Sequence, residues 1–218
     1  MLLAADADLI SRDPNLPGLR ILLDPELFCE ILQEQLPSIH LESVQPSYLR
    51  YKSGTSCLAG FLVMVNGEWI DVHATVYRSN AQAKLLKSKK KEVINPTFGA
   101  GVLIFRETAI SVSIFPNDRK LKSLAKLNSN ELRTASFQKI FEKRPDLLDS
   151  EIAKLRYKPE RRYVSKLSIN GVPQCVLKCY LESDFFNVRS NARIFRSSEK
   201  VRVPRKIAHS KKNFWIAY

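Results

Sequence analysis

Apolar and polar positions along the chain alternate in two repeated blocks. The first runs from 49 to 77, LRYKSGTSCLAGFLVMVNGEWIDVHATVY, and the second from 155 to 180, LRYKPERRYVSKLSINGVPQCVLKCY. Each opens on Leu-Arg-Tyr-Lys, turns at Asn-Gly (Asn66-Gly67, Asn170-Gly171) and closes on a tyrosine, Tyr77 or Tyr180. Asn-Gly between apolar runs predicts a two-residue hairpin, because both turn residues must accept positive φ. A repeated supersecondary unit predicts two related lobes; two copies are too few for a solenoid.

The pattern predicts the remaining elements in order. Residues 1–18, with Pro14 and Pro17, lack periodicity and are expected to be a loose lead. Asp24, Pro25 and the stripe Leu27, Phe28, Ile31, Leu32 and Leu36 predict a capped helix over 25–36. Strands are expected at 39–44, 48–52, 57–65 and 69–77, then a polar helix over 80–92 and strands at 102–106 and 109–115. After the turn at Pro116-Asn117-Asp118, Leu121, Leu124 and Leu127 predict a short helix, and 131–143 a second, ended by Pro145. The boundary between lobes is therefore expected near 145, giving lobes 1–145 and 146–218. The second lobe is expected to hold strands at 152–157, 163–169 and 174–180. A helix over 185–196 (Phe185, Val188, Ala192 and Phe195 on one face) and strands at 203–208 and 213–218 complete it. The fold class is α+β, two small lobes, each a curled antiparallel sheet with packed helices.

Composition narrows the chemistry. The net charge is +13 over 218 residues and is unevenly spread: residues 1–46 carry −6 and residues 47–218 carry +19. Such a body attracts nucleotides, phosphorylated substrates, nucleic acid or anionic lipid. Four cysteines in this length do not make a disulfide framework, and no pair of them has zinc-finger spacing. The start lacks a basic region and contains Asp6 and Asp8, so it does not read as a signal peptide. No run of about 18 apolar residues predicts a membrane span. The expected compartment is the cytoplasm.

Lys178 stands in the apolar strand Val-Leu-Lys-Cys-Tyr, with Val176 and Tyr180 on its face. Taken plainly, it is a strand lysine whose stem lies on the sheet and whose head is in water. The lysines at 84–91 read as a solvated helix face. The three histidines, His40, His73 and His209, stand in no catalytic pattern.

The second block, together with FPNDRKL at 115–121, resembles the amino-terminal lobe of the aminoglycoside phosphotransferase-like kinases, small-molecule kinases with a protein-kinase-like fold. The likeness runs from about Tyr48 onward. It implies that Lys178 reaches the phosphates of ATP, that Val176 and Leu155 line the nucleotide site, and that the turn 158–162 covers the phosphates with Arg161 and Arg162. Glycine is usual in that turn where this chain has Glu160, which argues against backbone cradling. The first block keeps Gly54 but has Thr75 in place of Lys178, so it is expected to be a structural relative without nucleotide chemistry. No acidic residue falls within the helix expected after Lys178; Glu182 and Asp184 precede it and Glu199 follows it.

The implied activity of a complete protein is ATP-dependent phosphorylation of a small-molecule hydroxyl. These residues hold no His-x-Asp loop and no magnesium ligands in the expected order, so catalysis by them alone is not expected; magnesium would come with a further lobe. The strand at 213–218 is expected to lead to a hinge and to present an apolar edge, with self-association as its consequence. Two alternatives stand beside this reading: a basic nucleic-acid-binding module, and a non-catalytic interaction protein. Against the nucleic-acid reading, aromatic residues do not interleave with the basic ones as a stacking platform requires.

Overall fold

Both Asn-Gly pairs form the tight turns that their chemistry predicts. Asn66 and Gly67 have φ of 51° and 75°, and Asn170 and Gly171 have 48° and 76°. They join strands in register, Val65 opposite Glu68 and Ile169 opposite Val172. The computed structural model describes residues 2–87, 89, 92–194, 197, 199–200 and 202–218, and for Gln82 and Arg193 the backbone alone. The chain is α+β, with two five-stranded antiparallel sheets, in two units, Met1–Asn117 and Asp118–Tyr218.

The first unit holds β1 (Ser43–Lys52), β2 (Ser56–Val65), β3 (Glu68–Tyr77), β4 (Val102–Phe105) and β5 (Ile110–Ile114), ordered β1-β2-β3-β5-β4. Its helices are α1 (Ala4–Arg12), α2 (Leu19–Leu23), α3 (Pro25–Gln35) and α4 (Gln82–Lys87). Asp24 caps α3, accepting from the N–H groups of Glu26 and Leu27, as the sequence predicts. Phe28 of α3 stacks on Phe61 of β2 with ring centroids 4.1 Å apart. Burying each such ring stabilises the unit by about 2–3 kcal/mol. Gly18 is needed where α2 begins, because a Cβ there would lie 2.5 Å from the Ile110 side chain.

The second unit repeats this plan. It holds β6 (Glu151–Lys158), β7 (Arg162–Ile169), β8 (Val172–Tyr180), β9 (Ala208–Ser210) and β10 (Trp215–Ala217), ordered β6-β7-β8-β10-β9. Its helices are α5 (Leu124–Asn128), α6 (Asn130–Ile140) and α7 (Glu182–Ile194), with a 3-10 turn at Pro145–Leu147. The correspondence reaches single bonds. Tyr77 N–H donates to the carbonyl of Ala109 at 3.0 Å, and Tyr180 N–H donates to that of Phe214 at 3.0 Å. Ala109 and Phe214 share a positive φ, 53° and 55°. The spacing Asp-x-x-Leu-x-x-Leu leads into α2 from Asp13 and into α5 from Asp118. The repeat visible in the hairpins thus extends through the strand order of both sheets and back to Asp13 and Asp118.

Several expectations are corrected. Residues 1–18 are not loose: 4–12 are helical, Leu16 is buried, and Asp13 binds the hydroxyl of Tyr51 at 2.9 Å and the N–H of Gly54 at 2.6 Å. The units divide between Asn117 and Asp118 rather than near 145. Residues 118–145 contribute Leu121, Leu124, Leu127, Phe137 and Phe141 to buried positions of the second unit, so Pro145 ends a helical segment and not a lobe. Residues 39–42 and 203–207 are not strand. The helix α4 is shorter than expected; the part of that expectation on 88, 90 and 91, like Phe195 and Arg196 at the end of the later helix, lies outside the described residues. Helix α7 begins at Glu182, so Glu182 and Asp184 lie within it rather than before it.

The largest correction concerns 213–218. Strand β10 is not at a sheet edge but between β8 and β9, and Trp215, Ile216 and Ala217 are fully buried. Trp215 meets Phe137 edge to face at 6.3 Å and donates its Nε1–H to Ser123 Oγ at 2.9 Å. Alternation put one face of this strand on the sheet, while helical segments and β9 account for the burial that a strand pattern does not specify.

Candidate functional site

Strand alternation sorts the second sheet into two faces. Tyr163, Ser165 and Leu167 of β7 oppose Cys179, Leu177 and Cys175 of β8, and all six are buried. The other face carries Arg162, Val164 and Lys166 opposite Tyr180, Lys178 and Val176. Helix α7 begins two residues after β8 ends. Phe185 at its start is fully buried with Tyr180 and Ile216, and Val188 packs against the same cluster. This contact fixes α7 over the end of β8, near the turn between β6 and β7.

An open cleft of about 310 Å³ lies there, lined by Lys158, Arg161, Arg162, Tyr180, Asp184, Asn187 and Val188. Three cations face one carboxylate. Among the described residues no carboxylate comes within ion-pairing distance of Lys158, Arg161 or Arg162. Burial pushes the Tyr180 phenol up, helped by the neighbouring Tyr218, so it stays a neutral donor at the cleft wall.

Lys178 stands on the same sheet face. Its Nζ lies 4.5 Å from the centre of the Tyr218 ring, a cation–π contact. Burial pushes its ammonium below the ordinary lysine range, and the Arg162 charge adds to the effect. Among the described residues it has no carboxylate partner, neither Glu182 nor Asp184. A cation already short of compensation favours an incoming anion.

The turn itself is tightly built. Glu160 takes φ of 55°. Its N–H donates to Asp118 Oδ2 at 2.8 Å, and the Arg161 N–H donates to the Lys158 carbonyl at 3.0 Å. These backbone donors are committed within the protein, so the charged side chains of the turn, and not its amides, face the cleft. The Glu160 carboxylate is 4% exposed and lies 3.0 Å from the Arg119 guanidinium and 3.1 Å from Lys120 Nζ. Burial alone would push its carboxyl up, but the Arg119 hydrogen bond and charge, with Lys120, outweigh that and hold it well below the usual carboxylate range, at about 2.

Of the residues that the sequence picks out, the structure brings Arg161 and Arg162 into the cleft and sets Lys178 beside it. Val176 lies further along the Lys178 face, outside the cleft lining. Leu155 sits at a register shift of β6, 55% exposed, also outside it. The sequence reading missed Asp184, Asn187 and Val188, because it started the helix too late and did not fold its first turn over the strand end. In the first unit the corresponding strand face carries Thr75, and Gly54 takes the turn position of Glu160 with φ of 57°. A Cβ on Gly54 would lie 2.9 Å from the Arg78 guanidinium.

Charge follows the same division. Residues 118–218 hold 24 basic and 10 acidic side chains, and residues 1–117 hold 11 and 12. Among the described residues no three His, Cys, Asp or Glu side chains are grouped to hold a metal ion. Among the same residues no helix is long and apolar enough to cross a membrane. The chain matches no family model, no curated protein and no solved structure.

Proposed function

We propose that the second unit binds the phosphate chain of a nucleotide, ATP in the first instance, and that the chain is the nucleotide-binding, amino-terminal portion of an aminoglycoside phosphotransferase-like kinase. The observation that carries the reading is the convergence of Lys158, Arg161 and Arg162, none with a carboxylate in ion-pairing range among the described residues, on one cleft. Lys178 on the third strand of the unit, followed directly by a helix, supports it. Charge-assisted bonds from guanidinium to phosphate are roughly twice as strong as neutral ones. In a complete kinase of this class such groups position the phosphates and offset charge that develops on them. The residues here supply that positioning. A base for the acceptor hydroxyl and metal ligands are the parts a further lobe would add, so turnover by these 218 residues is not expected.

The test is a titration of the full chain with a fluorescent ATP analogue. Parent protein should bind, and Arg161→Ala with Arg162→Ala, or Lys178→Ala alone, should each weaken binding by about tenfold. Affinity indifferent to all three substitutions rejects the cleft. The concentration of positive charge in residues 118–218 favours one second reading, a nucleic-acid-binding module. Sequence-selective, sub-micromolar binding to an oligonucleotide that survives roughly 200 mM salt would favour it over the kinase reading.

A further inference from the structure

Glu160 and Gly54 occupy the same place in the two units. Both have positive φ, 55° and 57°. Both donate their backbone N–H to the aspartate of the repeated Asp-x-x-Leu-x-x-Leu spacing, Glu160 to Asp118 and Gly54 to Asp13. Glycine adopts this conformation without steric cost, whereas a residue with a Cβ does so against it. The first unit therefore shows that the turn can be closed without a side chain at this position. The glutamate side chain in the second unit has a different task. It turns inward, away from the cleft lining, and its carboxylate accepts from Arg119 Nε at 3.0 Å and meets Lys120 Nζ at 3.1 Å. Arg161 and Arg162 follow it directly.

We propose that Glu160 is a positioning residue: its buried carboxylate, gripped by Arg119 and Lys120, fixes the turn at 158–162 so that Arg161 and Arg162 are held facing the cleft before a ligand arrives. This rests on the reading that the cleft takes nucleotide phosphates. An arginine on a mobile turn loses conformational freedom when it binds phosphate, and one already held loses less. The grip also keeps two cations, Arg119 and Lys120, engaged inside the unit and leaves ligand binding to the turn.

The experiment is a double-mutant cycle on the full chain, read with the same ATP analogue. Glu160→Gly installs the residue of the first unit and relieves the left-handed backbone. It is expected to keep the circular dichroism spectrum of the parent and to lose about tenfold in affinity. On that background, removing Arg161 and Arg162 should cost much less than it does in the parent, because the arginines are no longer held. Glu160→Gln, which keeps the shape and the Arg119 hydrogen bond, should recover part of the loss. A merely structural glutamate would lower the melting temperature and leave the coupling at zero. If Glu160→Gly does not fold, Arg119→Gln removes the partner and leaves the hairpin sequence intact, and the same loss of coupling is expected from it. Parent-like affinity and coupling in the folded variants overturns the inference while leaving the cleft reading in place. Parent affinity unmoved by loss of Arg161 and Arg162 overturns the cleft reading, and the inference falls with it.

Discussion

Asp118 accepts the backbone N–H of Glu160 at 2.8 Å across 42 positions of chain. The same carboxylate accepts the Tyr157 hydroxyl at 2.8 Å, and its other oxygen accepts the N–H groups of Lys120 and Leu121, each at 2.8 Å. One buried side chain thus ties the start of the unit's helical lead to the hairpin that carries the cleft arginines. In the first unit Asp13 makes the corresponding pair of bonds to Tyr51 and Gly54.

Asp118→Ala should therefore be among the most damaging single changes in the second unit. It leaves four donors without their acceptor, three of them backbone N–H groups, and a loss of about 3 kcal/mol is expected. Denaturant unfolding followed by Trp215 fluorescence, in a Trp69→Phe background, measures it. Asp118→Ala as stable as its parent would show that water replaces the carboxylate at no cost.

Acid should weaken the second unit through Glu160. Its folded carboxyl sits at about 2 against an ordinary 4.5, so the ionised form favours the folded state. That contribution is complete above pH 4.5 and disappears as the pH falls towards 2. Its size is about 3 kcal/mol. Stability measured across this window should drop in the parent and be flatter in Glu160→Gln. Parallel curves for the two proteins would assign the acid sensitivity elsewhere.

Trp215→Ser is expected to destabilise, not to solubilise. The ring is fully buried, packed edge to face on Phe137, and its Nε1–H is paired with Ser123. Emptying that space should cost about 3–5 kcal/mol, as for other large-to-small changes of buried aromatics. Thermal unfolding reads the result. A variant as stable as its parent and less prone to associate would restore the exposed-edge reading.

The four free thiols should differ in reactivity. Cys29 is half-buried, while Cys57, Cys175 and Cys179 are buried. Burial pushes Cys57 up to about 12 and Cys175 up to about 11, and raises Cys179 further. Thiolate is the reactive form. Alkylation at pH 8 followed by peptide mass mapping should label Cys29 first and the other three only on unfolding. Early labelling of Cys175 would mean that β8 opens in the native state.

The sequence by itself determined the local elements whose chemistry is short-range. Asn66-Gly67 and Asn170-Gly171 had to turn because few other pairs accept positive φ twice. Asp24-Pro25 had to begin a helix, and alternation placed Val176, Lys178 and Tyr180 on one strand face. The repeated Leu-Arg-Tyr-Lys exposed the duplication, although only in its hairpins. Tertiary structure decided what depends on partners far along the chain. Asp118 read as a turn residue and Asp13 as part of a loose lead until the hairpins they bind, roughly 40 positions on, come to meet them. The strand at 215–217 read as an edge because its cover, β9 and buried helical residues such as Phe137, carries weak patterns of its own. The cleft followed the same rule. Arg161 and Arg162 were visible as charge, but Asp184, Asn187 and Val188 joined them only because Phe185 packs on Tyr180 and Ile216 and sets α7 over the strand end. Periodicity and turn chemistry are fixed within a few residues, whereas burial and convergence of charge are properties of contacts that only folding creates.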